Sequence, residues 1–161
     1  VEIGTWGGRS AAIMASRLGP NYTNHTVDCY IEDIVAKHGA NLPKHPREIA
    51  ADVLAEYPSV VQHLATSTEV AEKWPHAPIS VLFVDGSHAQ EAVLTDLTVW
   101  APIMTPRAAI VLDDMTWPGV AAAPKLFFKT QVFKTAEWRR QPAKKWPFLN
   151  GNIAAWFRGV R

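Results

Sequence analysis

Carboxylates stand directly after apolar runs at several separated points of this chain. Glu2-Ile3-Gly4 closes the first run and Asp28 the second; Asp85-Gly86-Ser87-His88 follows ISVLFV, and Asp113-Asp114 follows AAIVL. If those runs are parallel strands, these are their carboxyl ends, where open α/β sheets bind ligands. One acid in such a place is an ordinary turn former or cap, whereas several together point to a site. His88 adds a group that titrates near neutral pH and can take a proton from a hydroxyl. A histidine that only packs, or only hydrogen-bonds a ligand, is an equal reading of the same residue.

The spacing Glu2-x-Gly4-x-x-x-Gly8 lets backbone approach a ligand closely and admits dihedrals closed to other residues. It is not the dinucleotide fingerprint, because Trp6 stands where the second glycine belongs. Nor is it a phosphate P-loop: the glycines are closer together, and Arg9 stands in place of lysine. His25, His38, His45, His63 and His76 show no zinc spacing, and Cys29, the single cysteine, builds neither a thiolate site nor an internal disulfide. Trp6 and Trp117 lie beside the motifs and are candidates to line a pocket; the other tryptophans read as core or rim. Arg139, Arg140, Lys144 and Lys145 form a basic cluster that reads as solvated surface, with an anionic substrate group as the alternative.

The elements that must position these residues alternate short apolar runs with helical stretches, the pattern of an α/β sheet. Strands are expected to end at Ile3 and to cover 26–29, 60–65, 79–84 and 108–112. Helices are expected over 10–18, 46–57, 66–74, 89–100 and 118–129, the third capped by Thr66 or Ser67 with an acid at Glu69. The nearly all-apolar run 79–84 predicts a parallel strand buried on both faces. A terminal strand pair is expected over 132–138 and 153–157, with a loop containing Pro142, Pro147 and Asn150-Gly151 between them.

The chain has 161 residues, 48% hydrophobic and 19% charged, which suits one globular domain over 1–161. A formal net charge of +1 gives no field that selects nucleic acid or membrane. No apolar run spans a bilayer and no signal peptide is visible, so a cytoplasmic location is expected. The opening Val1-Glu2-Ile3-Gly4 reads as the inside of a core strand, and upstream sequence is expected to be missing. A homo-oligomer is compatible with all of this.

VEIGTWGGRSA resembles motif I of class I S-adenosylmethionine-dependent methyltransferases. VLFVDGSHAQEAVLTDL with AAIVLDDMTWPGV resembles the paired acidic segments of the small-molecule O-methyltransferase branch, the catechol-type and sugar-type enzymes of "methyltransferase domain 24" kind. The resemblance runs from Val1 to about Val120. It implies a doubly wound, Rossmann-like, mostly parallel sheet whose last strand is antiparallel. It implies S-adenosylmethionine as cofactor, with Glu2, Gly4, Gly8 and Ser10 along its amino-acid side and Asp28 on the ribose. Ser67 falls where the family contacts adenine, with helix capping as the competing reading. Asp85, Asp113 and Asp114 match divalent-metal ligands, the hard oxygen donors magnesium prefers. Asp85 also counts on the cofactor side and, with His88, among the catalytic residues. The implied reaction is methylation of a small-molecule hydroxyl, with neither nucleic acid nor membrane as partner. The alternatives are a metal-independent or N-directed methyltransferase of the same fold, a nicotinamide dehydrogenase, and a non-catalytic binding domain.

Overall fold

The computed structural model describes residues 1–19, 21–130, 137–141 and 153–157, with side-chain surroundings given as far as residue 128. The chain divides into two compact units, Val1–Val70 and Ala71–Arg161.

The first unit begins with β1 (Glu2–Ile3), α1 (Arg9–Leu18) and β2 (Asn24–Val27). It continues with α2 (Glu32–Gly39), α3 (Pro46–Leu54), β3 (Val60–His63) and the start of α4 (Ser67–Glu72), the helix in which the division between the units falls. Its strands run parallel in the order β3-β2-β1. The register sets Ile3 beside Val27 and Val27 beside His63, so Gly4 and Asp28 leave adjacent strand ends together. Helix α1 is rich in alanine, and Ala11 and Ala12 pack on Ala50 and Leu54 of α3. Small side chains there let two helices approach closely. Gly8 belongs to the same packing. At φ 78° it stands in the left-handed region, and a Cβ there would lie 3.2 Å from the Ala50 Cα and 3.1 Å from Leu54. Glycine at this position is therefore required by α3.

The second unit comprises β4 (Ile79–Val84), α5 (Gln90–Trp100), β5 (Met104–Leu112), α6 (Pro118–Thr130), β6 (Glu137–Gln141) and β7 (Ile153–Phe157). Its strand order is β4-β5-β7-β6. β4 and β5 are parallel, while β7 runs antiparallel to both β5 and β6. This is the expected α/β class, mostly parallel with the last strand reversed. Trp100, Phe127, Leu82, Leu97, Ile110 and Leu112 are all buried here. Among the described residues no helix is long and apolar enough to cross a membrane.

Several boundaries differ from expectation for physical reasons. β2 ends at Val27 because Asp28 caps the turn with its side chain and Tyr30 takes φ 48°, which no strand residue can do. Helix α2 was not expected: it spans only eight residues and starts after Ile31, which offers no capping side chain. α4 starts at Ser67 and Thr66 is its cap: the Glu69 amide donates to the Thr66 hydroxyl at 3.3 Å, and the Thr66 amide to the Glu69 carboxylate at 3.0 Å. β4 is not buried on both faces; Leu82 is fully covered while Val81 is 44% exposed. The expected strand residues 132–136 and the loop with Pro142, Pro147 and Asn150-Gly151 lie outside the described residues, as do Lys144 and Lys145.

Gly8 and Gly19 exclude a side chain for different reasons. A Cβ on Gly19 meets nothing within 4 Å, but its φ 74° and ψ 179° lie in a region essentially reserved for glycine, whereas Gly8, at φ 78° and ψ 5°, is left-handed and crowded by α3. Gly8→Ala is expected to cost roughly 2–3 kcal/mol from left-handed strain plus overpacking, and Gly19→Ala about 1–3 kcal/mol from backbone strain alone. Urea unfolding of each variant measures these costs.

Candidate active site

In the first unit the glycine loop and the end of β2 are tied together by their own polar groups. The Gly4 amide donates to the Val27 carbonyl at 2.9 Å and the Gly8 amide to the Thr5 carbonyl at 2.7 Å. Asp28 accepts the Trp6 amide at 2.8 Å on one oxygen and the Tyr30 amide at 2.8 Å on the other. Glu2 is fully buried. The Thr26 hydroxyl donates to its Oε2 at 2.7 Å, whereas Oε1 completes no hydrogen bond. Burial pushes the Glu2 carboxyl above its ordinary value, and the hydroxyls of Ser10 and Thr26 pull it partly back. A cleft of about 520 Å³ opens beyond Asp28, lined by Cys29, Tyr30, His45, Arg47 and Leu64 among others. The orphaned Glu2 oxygen and the left-handed glycines Gly4 and Gly8 suit a loop that receives a polar ligand.

In the second unit the parallel register sets Val84 beside Leu112, so Asp85 and Asp113 follow adjacent strand ends. The Asp113 amide donates to the Val84 carbonyl at 3.1 Å and fastens the two ends. Asp85, Gly86, Ser87, His88, Asp113 and Asp114 line one small cavity. Asp114 stands at φ 53°, and its amide donates to the Asp113 carboxylate at 2.8 Å. His88 Nε2 lies 2.8 Å from Asp114 Oδ2. The imidazole stacks on Trp117 with ring centroids 4.7 Å apart. Burial raises the Asp113 carboxyl above its ordinary value; the Asp114 amide and His88 oppose this, and the Asp114 charge adds to it.

The strand-end acids thus come together within each unit as expected. Asp28 sits one residue past its strand, with both carboxylate oxygens accepting main-chain amides. Ser67 is the first residue of α4. The expected metal set is not assembled: among the described residues no group of three or more His, Cys, Asp and Glu side chains is placed to hold a metal ion. Asp85, Asp113 and Asp114 nevertheless line the same cavity, and Asp114 meets His88 through one oxygen, Oδ2.

A methyltransferase-domain family model matches residues 1–115. The chain belongs to that family. It is an S-adenosylmethionine-dependent methyltransferase. No curated protein matches the chain. Among solved structures it is similar to the O-methyltransferase TomG of Streptomyces achromogenes, involved in tomaymycin synthesis and seen with S-adenosylmethionine. Identity is 22% and the TM-score 0.67, over 98% of this chain and 72% of that one. It is also similar to an O-methyltransferase of Bacillus cereus in complex with S-adenosylhomocysteine, at 18% identity and a TM-score of 0.66, over 97% of this chain and 72% of that one. A TDP-rhamnose 3′-O-methyltransferase of calicheamicin biosynthesis aligns at 16% identity and a TM-score of 0.69, over 99% of this chain and 70% of that one. At these identities the likeness shows the fold.

One residue packed against the candidate site was not singled out by its spacing in this methyltransferase. A Cβ on Gly119 would meet the His88 carbonyl oxygen at 2.3 Å and the Gln90 amide at 2.9 Å. Glycine there lets the start of α6 close on the backbone that carries His88. Its signal was present: glycine in a helix's first turn, beside Pro118, is a poor helix former without a packing reason.

The raised Glu2 carboxyl makes a pH-dependent prediction. An acid whose folded value lies above its ordinary 4.5 destabilises the fold progressively as pH rises from there, and fully above the raised value. Glu2→Gln is therefore expected to melt higher than wild type at pH 7, with the gap closing as pH falls toward 4.5. Thermal melts across that range check it.

Proposed function

We propose that the chain transfers a methyl group from S-adenosylmethionine to a hydroxyl oxygen of a small molecule, with His88 taking the hydroxyl proton. The observation that carries this is the 2.8 Å contact between His88 Nε2 and Asp114 Oδ2 at the ends of β4 and β5. With Nε2 donating to a carboxylate, the neutral imidazole keeps its lone pair on Nδ1, which is then the proton acceptor. Trp117 behind the ring and Gly119 beneath its backbone limit where that nitrogen can lie. The cofactor supplies an already activated methyl on sulfur, so the protein's part is orientation and proton removal.

Glu2, Gly4, Gly8 and Ser10 are read as the amino-acid side of the cofactor site, with Asp85 joining it. The cleft beyond Asp28 is large enough for a nucleoside and is read as its seat, with Asp28 on the ribose and Ser67 near adenine. The O-directed chemistry follows the O-methyltransferases among the similar structures, and the near-neutral charge favours a small acceptor over nucleic acid. A cytoplasmic location fits a single unpaired cysteine.

A second reading gives Asp85, Asp113 and Asp114 to magnesium, as the resemblance implies. The His88–Asp114 contact favours the proton-accepting pair. Exhaustive chelation separates the readings: activity that survives supports the pair, and activity lost to chelator and restored by magnesium supports the ligand set.

His88→Ala is expected to lower kcat about 10²- to 10⁴-fold, with affinity for S-adenosylhomocysteine unchanged. Steady-state kinetics with calorimetry tests this, and a variant with wild-type turnover across a pH series removes His88 as the base. S-adenosylhomocysteine is further expected to raise the melting temperature of the wild type by mass action. A calorimetric titration without binding would sink the cofactor reading.

A further inference from the structure

Trp6 and Tyr30 both hold left-handed backbone, at φ 44° and φ 48°. Bulky side chains rarely adopt it, and it costs on the order of 1–3 kcal/mol per residue unless the surroundings impose it. The surroundings here are a closed ring of three hydrogen bonds. The Trp6 amide donates to one Asp28 oxygen at 2.8 Å, and the Tyr30 amide to the other at 2.8 Å. The Tyr30 phenol then donates to the Trp6 carbonyl at 3.0 Å. Both polar groups of one strained loop residue are thereby held from the end of β2.

We propose that Tyr30 is a positioning residue for the cofactor loop: with Asp28 it locks Trp6, and so the turn from Gly4 to Gly8, in the conformation that receives S-adenosylmethionine. This rests on the cofactor reading above. Tyr30 is only 8% exposed, and it lines the cleft together with Asp28. Burial, reinforced by the Asp28 carboxylate, pushes the phenol well above its ordinary value, so it remains a donor throughout the working range. Sequence alone marked Asp28 as a ligand acceptor. The structure gives it a second task, joining two backbone turns that would otherwise relax independently.

The test uses the full chain and S-adenosylhomocysteine as probe. Tyr30→Phe keeps the buried ring and removes the phenol's hydrogen bonds to the Trp6 carbonyl and to the Thr5 side chain of the same loop. It is expected to weaken binding about twofold to tenfold. KM for S-adenosylmethionine should rise by a similar factor while kcat at saturating cofactor holds, a split that a merely structural tyrosine would not produce. In the cofactor-free protein the Trp6 amide should exchange faster. Glycine accepts φ 44° without strain, so in a Trp6→Gly background the same substitution should cost less than about twofold. Wild-type affinity and amide protection in Tyr30→Phe would overturn the proposal, as would an equal penalty in both backgrounds. If the wild type binds no S-adenosylhomocysteine while Tyr30→Phe still frees the Trp6 amide, the cofactor reading fails and the positioning role with it.

Discussion

Parallel strand pairing in register is the constraint on which the rest depends. It sets Val84 beside Leu112 in one unit and Ile3 beside Val27 in the other. Each match places two chain segments, far apart in sequence, at one carboxyl edge. There the strands' hydrogen bonding ends and side chains take over. Asp113 and Asp28 begin that takeover, their amides donating to the Val84 and His63 carbonyls of neighbouring strands. A slip of one residue would turn either acid to the opposite face. The site therefore depends on the register more than on any single contact within it.

Local strain then gives the two strand ends their shape. Gly4, Trp6, Gly8, Tyr30 and Asp114 all carry positive φ, and all lie in the segments that follow β1, β2 and β5. Such backbone persists only where other interactions over-determine it. Asp28 supplies them in the first unit. In the second, Asp113 accepts the amide of Asp114, and Asp114 in turn holds His88. In each case a carboxylate fixes the turn, Asp28 through the Trp6 and Tyr30 amides and Asp113 through that of Asp114. Burial favours the neutral form of Asp113 and outweighs the Asp114 amide, which favours the charged one.

Glycine does different work at different points of this methyltransferase. Gly8 has the spacing of a ligand loop, yet the nearest atoms to its absent Cβ belong to α3. Gly119 lies in the segment AAIVLDDMTWPGV without a ligand role assigned to it, and the nearest atoms to its absent Cβ belong to the backbone carrying His88. Spacing motifs report that a side chain is excluded; they do not report what excludes it.

The sequence by itself determined the α/β class, nearly all the helices, the run 79–84 as a strand, and the acids at strand ends. These are local properties: apolar periodicity, capping residues and the abrupt passage from an apolar run to a carboxylate all lie within a few residues of one another. It also carried the methyltransferase family, because the segments after the first, fourth and fifth strands are contiguous. α2 was not legible, since it is short and, unlike α4 with Thr66, begins without a capping residue. The pairing of His88 with Asp114, the stacking of Trp117 on His88, and the Tyr30 phenol on the Trp6 carbonyl were decided only by tertiary structure. Each joins residues more than twenty positions apart, and which of several acids a histidine meets depends on register and on one backbone angle at Asp114, neither of which is written in the spacing of the chain.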